Sequence, residues 1–292
     1  MEWTKLLDQA RALYEAGHLN EAEHALRRSI AFKSDSSQAH FWLGFVLEDQ
    51  GRLDEARAFL EAGLSLEENA LLLVIAGDVQ RRLGDLDAAE RSLARAIELD
   101  PANDEAHHCL GRVAIAKQDF PTALEHLTEA VRLDPEPSGR RLALAEALYA
   151  LNRLDEAEVL SREAIASDPG DAWAPYLMGC IFYSRNDWSS AREWFARSVE
   201  LAPDVGLFWT GLGEMAARLG FEDEADRLFR EALARGPGDS ILNRKYGVFL
   251  QWRGSMARGR TYLQRALSLN PNDRVARRML DDLKYTADKD HE

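Results

Sequence analysis

The chain has 292 residues, a formal net charge of −14 and 46% hydrophobic residues. The acidic excess disfavours nucleic acid as a partner, because that affinity comes largely from neutralising phosphates. No apolar run approaches the ~18–20 residues that cross a bilayer, so no membrane span is expected.

One short turn recurs along the chain at steps of 33 or 34 residues. It begins at Gly17, Gly51, Gly84, Gln118, Asn152, Asn186, Gly220 and Gly254. A fixed period of this length predicts stacked supersecondary units, not a globule with one core. Apolar residues fall at helical spacing before each turn, as in Trp209, Leu212, Ala216 and Leu219. They do so again after it, as in Ala225, Leu228, Phe229, Ala232 and Leu233. Each unit therefore reads as two helices, and Gly or Asn at the turn tolerates the left-handed conformation that ends the first. The second helix stops before Pro101, Pro135, Pro169, Pro203, Pro237 or Pro271, since proline disfavours helical geometry in the residue before it.

The units are placed at 3–36, 37–69, 70–103, 104–137, 138–171, 172–205, 206–239 and 240–273. The first is the most degenerate, with Ala10 and Ser34 where others carry Gly and Pro. Its Leu6, Leu7 and Leu13 have no helix before them and are expected to leave an open apolar edge. The stretch Asp134-Pro135-Glu136-Pro137-Ser138-Gly139 is the expected flexion point of a single array. In the eighth unit Gly259 stands where others have Ala, which is expected to loosen its second helix. Residues 274–292 read as a capping helix and polar tail. Val275, Ala276, Met279, Leu280 and Leu283 share its apolar face.

These residues resemble the tetratricopeptide repeat (TPR) family, whose pattern is Trp, Leu-Gly and Tyr, then Ala, Phe, Ala and Pro. The seventh unit carries Trp209, Leu212-Gly213, Ala225, Phe229, Ala232 and Pro237; the sixth carries Met178-Gly179, Phe182, Ala191, Phe195 and Pro203. The resemblance covers nearly the whole chain. It implies an all-α fold, a right-handed α-α solenoid of about eight TPR units plus a C-terminal capping helix.

Chemistry is sparse. There is no Gly-x-Gly-x-x-Gly, P-loop, His-Glu-x-x-His or Cys-x-x-Cys. His107-His108 invites a metal reading, but adjacent helical residues point ~100° apart. His107 and His40 occupy the packing slot that Trp209 fills. Cys109 and Cys180 lie two units apart, beyond disulfide reach, and read as reduced, packed thiols. The secretory pattern of a basic region and an apolar core is missing at the N-terminus. We therefore expect a cytoplasmic protein that is not an enzyme, with no catalytic residues, no metal and no cofactor.

The resemblance implies a concave groove lined by the second, fifth, ninth and twelfth positions of each first helix. On this chain those positions give an apolar patch, Phe41, Phe45, Leu71 and Val74, and an aromatic ladder, Trp173, Tyr176 and Tyr183. Arg81, Arg112 and Arg244 are expected to steer acidic residues toward them. Two readings of the aromatics stand: exposed anchors for a partner, or packing buried between neighbouring first helices. Neither the chaperone-peptide clamp of cochaperone TPR domains nor the asparagine row of the O-GlcNAc transferase superhelix is present. The sixth-position row reads Asp8, Trp42, Ile75, Cys109, Ala143, Leu177, Gly211, Lys245.

The expected function is a non-enzymatic scaffold that binds a protein or peptide segment in this groove. Two alternatives are a homo-oligomer assembled through the uncapped N-terminal unit, and a regulatory subunit whose catalytic domain is on another chain.

Overall fold

The computed structural model describes residues 2–289, with side chains through Asp282. It forms two compact units, Met1–Arg153 and Leu154–Glu292. The described residues contain helices only. Unit 1 holds α1 (Glu2–Glu15), α2 (Leu19–Phe32), α3 (Ser37–Asp49), α4 (Leu53–Leu66), α5 (Ala70–Arg82), α6 (Leu86–Leu99), α7 (Asp104–Ala116), α8 (Phe120–Leu133) and α9 (Ser138–Ala150). Unit 2 holds α10 (Leu154–Ser167), α11 (Trp173–Ser184), α12 (Trp188–Leu201), α13 (Gly206–Arg218), α14 (Glu222–Arg235), α15 (Ser240–Trp252), α16 (Met256–Leu269) and α17 (Arg274–Lys289). These are the predicted eight helix pairs and a final single helix.

The repeat works through three local devices. The turn residue is left-handed at every repeat, with φ from 59° to 86°, and at Gln118, Asn152 and Asn186 a side chain bears that conformation. A small residue on each first helix admits a large one from the second. A methyl group built on Gly77 would lie 2.5 Å from Leu93, and one on Gly179 would lie 2.6 Å from the Phe195 ring. Both partners are buried, and burial of each such side chain is worth ~1.5–3 kcal/mol. Finally, the fourth residue of several first helices donates to a proline carbonyl six positions upstream, at the end of the preceding second helix. Trp209 Nε1 reaches Pro203 at 2.8 Å, His107 Nε2 reaches Pro101 at 3.3 Å and Asn243 Nδ2 reaches Pro237 at 3.2 Å. His107 is thus a joint between repeats. With its Nε2 donating, its Nδ1 accepts from His126 Nδ1 at 3.1 Å.

Three expectations are corrected. Leu6 and Leu7 are buried, packed within their own unit, so the predicted apolar edge is not open at those positions. The boundary between the compact units falls at Arg153, inside the fifth repeat, and the expected flexion point, 134–139, lies within the first unit. That two-proline stretch is stapled: Arg140 bonds both the backbone and the carboxylate of Asp134, and Arg141 bonds the Pro135 and Glu136 carbonyls. Gly259 is a close-approach site, since a methyl there would meet the Gly247 carbonyl oxygen at 2.9 Å. In α17, Ala276 is buried and Met279 and Leu280 pack on Leu263 and Ala266, as a cap requires, but Val275 is exposed. Leu283 lies outside the described side chains.

Candidate functional site: the inner face of the first helices

Within unit 1, α1, α3, α5, α7 and α9 pack in succession, whereas among the described residues consecutive second helices meet through long side chains, as in the Arg27–Glu55 pair (3.1 Å) between α2 and α4. The same holds for α13 and α15 in unit 2. The first helices therefore line the inner side of each unit, and their outward positions form its candidate binding face.

In unit 1 the structure brings Phe41 and Phe45 together as stacked rings 6.2 Å apart. Trp42 meets both edge-on at 5.5 and 5.9 Å, and Tyr14 sits 5.1 Å from Phe45. Phe41 and Phe45 are half-buried, one turn apart on α3. Leu71 is 61% exposed. Val74 departs from the expectation: at 6% exposed it belongs to a core cluster with Leu73, Cys109 and Leu110. The stack turns it inward because α7 covers that side of α5.

Polar groups on this face are mostly paired. Arg81 clasps Asp78 at 2.7 Å and Arg82 holds Glu48 at 2.7 Å. Glu48 is little exposed, and burial, with Asp78 nearby, pushes its carboxyl up to about 7 despite Arg82. Tyr14 donates to Asp49 at 2.6 Å, and burial with that carboxylate raises the phenol to about 12. Arg112 is exposed and has no hydrogen-bond or ion-pair partner among the described residues, so of the expected steering arginines in this unit it alone is uncommitted.

In unit 2, Trp173 is 50% exposed and packs edge-on against buried Phe208 at 5.0 Å. Tyr176 lies between Phe195 and Phe208, at 5.4 and 5.2 Å, so much of that ring is packing. Tyr183 stands apart from these two, 5.3 Å from Trp188. Arg218 donates to the Tyr183 hydroxyl at 3.0 Å and lies 4.8 Å above the Trp188 ring. Arg244 does not point its charge outward unpaired: it sits 3.5 Å from buried Asp273, at the start of α17.

Sequence reasoning named Tyr183 but did not assemble the concavity beside it. A cavity of about 400 Å³ opens beside Tyr183, Trp188, Arg218, Val248, Phe249 and Trp252, with the Glu214–Lys245 ion pair (2.7 Å) on its wall. Trp252 is 62% exposed. It occupies the thirteenth position of its repeat, one residue beyond the twelfth position that selected Tyr183, and that neighbouring position was the available signal.

No helix among the described residues is long and apolar enough to cross a membrane. A tetratricopeptide repeat model matches residues 7–70, 76–136 and 176–240, and a second such model matches 114–160. The chain is 23% identical over 237 residues to the DnaJ homolog subfamily C member 7 of Mus musculus, covering 77% of this chain and 48% of that protein. It thus spans about half the length of that relative. Among solved structures it is similar to the APC/C hetero-tetramer Cut9–Hcn1, with a TM-score of 0.72 and 16% identity. That match covers 95% of this chain and 55% of the other. PilF of Pseudomonas aeruginosa gives a TM-score of 0.63 at 18% identity, covering 74% of this chain and 97% of the other. These likenesses establish the fold, and with the helix pairs, left-handed turns and small-to-large contacts above, the chain belongs to the tetratricopeptide repeat family.

Proposed function

We propose that this chain is a cytoplasmic, non-enzymatic scaffold that binds an extended peptide segment of a partner protein along its first helices. The observation that carries this reading is the supply of aromatic surface that packing leaves over. Trp173 and Trp252 are half or more exposed, and Trp252 borders a cavity of about 400 Å³. Large exposed aromatics beside cations are the usual anchors of protein recognition. Phe41, Phe45 and Leu71 form one subsite on unit 1. Trp173 and Tyr176 form another on unit 2, with Tyr183, Arg218 and Trp252 around the cavity. Arg112 and Arg218, neither held by a carboxylate, favour acidic residues near the anchors. A rigid, preformed surface loses little entropy on binding.

The test is selection of binding peptides from a displayed random library with the full chain, followed by affinity measurement on Trp252→Ala and Trp173→Ala. The expected result is a peptide whose affinity falls at least about thirtyfold in one variant, ~2 kcal/mol, with melting unchanged. Selected peptides that bind both variants as tightly as the parent would defeat the reading.

A further inference from the structure

We propose that Glu105, His108 and Cys109 form a three-ligand site on α7 for a thiophilic divalent cation of the zinc type. The residues stand at i, i+3 and i+4, so His108 and Cys109 each neighbour Glu105 on the helix surface and approach it from its two sides. One ligand atom from each lies within 4.8 Å of the other two. Glu105 Oε1 is 3.3 Å from His108 Nδ1 and 3.5 Å from Cys109 Sγ. Tetrahedral zinc with ordinary bond lengths places oxygen and nitrogen ligands about 3.4 Å apart, and oxygen and sulfur about 3.6 Å apart. The two measured edges therefore need almost no rearrangement around an ion.

The surroundings favour that ion. Arg140, itself buried, reaches Glu105 through Oε2 at 3.1 Å and leaves Oε1 facing the other two donors. Such an outer partner orients a ligating carboxylate. The guanidinium charge is outweighed locally, because Asp104 and Asp134 also pair with it.

Binding replaces the thiol proton of Cys109 with a metal–sulfur bond and that proton goes to solvent, while the neutral His108 ring ligates through Nδ1 and keeps its one proton on Nε2. Apparent affinity therefore rises with pH. Nitrogen, sulfur and a single carboxylate suit zinc or cobalt and not magnesium or calcium. Three protein ligands leave a fourth position for water or for a side chain of a bound partner.

The experiment is a titration of the chelator-stripped full chain with Co(II), followed by near-ultraviolet absorption. We expect one equivalent to bind, with a thiolate-to-cobalt charge-transfer band that Zn(II) removes by displacement. Cys109→Ser should abolish the band, His108→Ala should weaken binding more than about tenfold, and Cys180→Ser should change neither. Circular dichroism checks that each variant is folded; if Cys109→Ser is not, the half-exposed Glu105→Gln and His108→Ala carry the test. Absence of the band in the parent chain, its survival in folded Cys109→Ser, undiminished binding in both Glu105→Gln and His108→Ala, or its loss in Cys180→Ser would each overturn the site.

Discussion

Gly247 and Gly259 face each other where α15 crosses α16, and neither has room for a methyl group. A Cβ on Gly259 would lie 2.9 Å from the Gly247 carbonyl oxygen and 2.7 Å from the Gln251 side chain; one on Gly247 would lie 3.1 Å from the Gly259 carbonyl oxygen. Helix propensity alone makes Gly259→Ala stabilising by ~1 kcal/mol. The backbone contact reverses that sign, because the helices would have to separate. Overpacking of this kind costs ~1–3 kcal/mol. Chemical denaturation should therefore place Gly259→Ala below the parent chain, and a more stable variant would show that the two helices are free to part.

The turn at Gln118 makes the opposite prediction. Gln118 holds φ at 63°, where five sister positions carry Gly and two carry Asn. A side chain in this region costs roughly 1–2 kcal/mol relative to Gly. Gln118→Gly should raise stability by ~1 kcal/mol, less the entropy that Gly adds to the unfolded chain. Gln118→Asn should fall between them. Thermal melts of the three proteins give the order, and a drop on Gln118→Gly would mean that the Gln118 side chain makes a compensating contact.

Glu48 ties stability to pH. Its folded carboxyl titrates near 7, because burial and Asp78 disfavour the charge more than Arg82 supports it. The folded state therefore holds a proton, between the ordinary 4.5 and about 7, that the unfolded chain has lost. The stabilisation linked to that proton is complete below about 4.5 and is lost as pH rises through 7. Glu48→Gln keeps a neutral side chain throughout. Its stability relative to the parent should improve by on the order of 1–3 kcal/mol between pH 5 and pH 8. Parallel denaturation curves with no pH-dependent gap would place the carboxyl at its usual value.

The repeat, its helix pairs and its left-handed turns were legible in the sequence because they rest on local chemistry. Gly, Asn and Pro punctuate by backbone conformation, and apolar spacing marks each helix. Exposure was less legible. The lining rule gives the direction in which Val74 leaves α5, but whether α7 covers it depends on how closely neighbouring repeats stack. The same uncertainty separated Arg112, which is uncommitted, from Arg81 and Arg244, which face Asp78 and Asp273. Gly259 was misread because propensity describes a helix alone, whereas its role is a contact with Gly247. Glu105, His108 and Cys109 converge through the i, i+3, i+4 geometry of one helix. The adjacent pair His107-His108 drew attention away from that spacing.

The anchors divide by how much of each ring the fold already uses, and that division can be measured. Tyr176 rests on Phe195 and Phe208, and Val74 sits in the core. Removing either should cost stability: ~2–4 kcal/mol for Tyr176→Ala, within the range of large core deletions, and less for Val74→Ala. Trp173 and Trp252 leave at least half their surface in solvent, so their replacement by Ala should lower stability by no more than ~1 kcal/mol. Phe41 is intermediate, since one face stacks on Phe45 and its edge meets Trp42; Phe41→Ala should cost ~1–2 kcal/mol. Against a selected peptide the order should invert, with Trp252→Ala or Trp173→Ala losing the most affinity and Val74→Ala the least. The pair of measurements, melting temperature and peptide affinity on the same five variants, separates the roles without knowledge of the natural partner. Should affinity track stability across all five, these aromatics are packing, and the binding face lies elsewhere on the repeats.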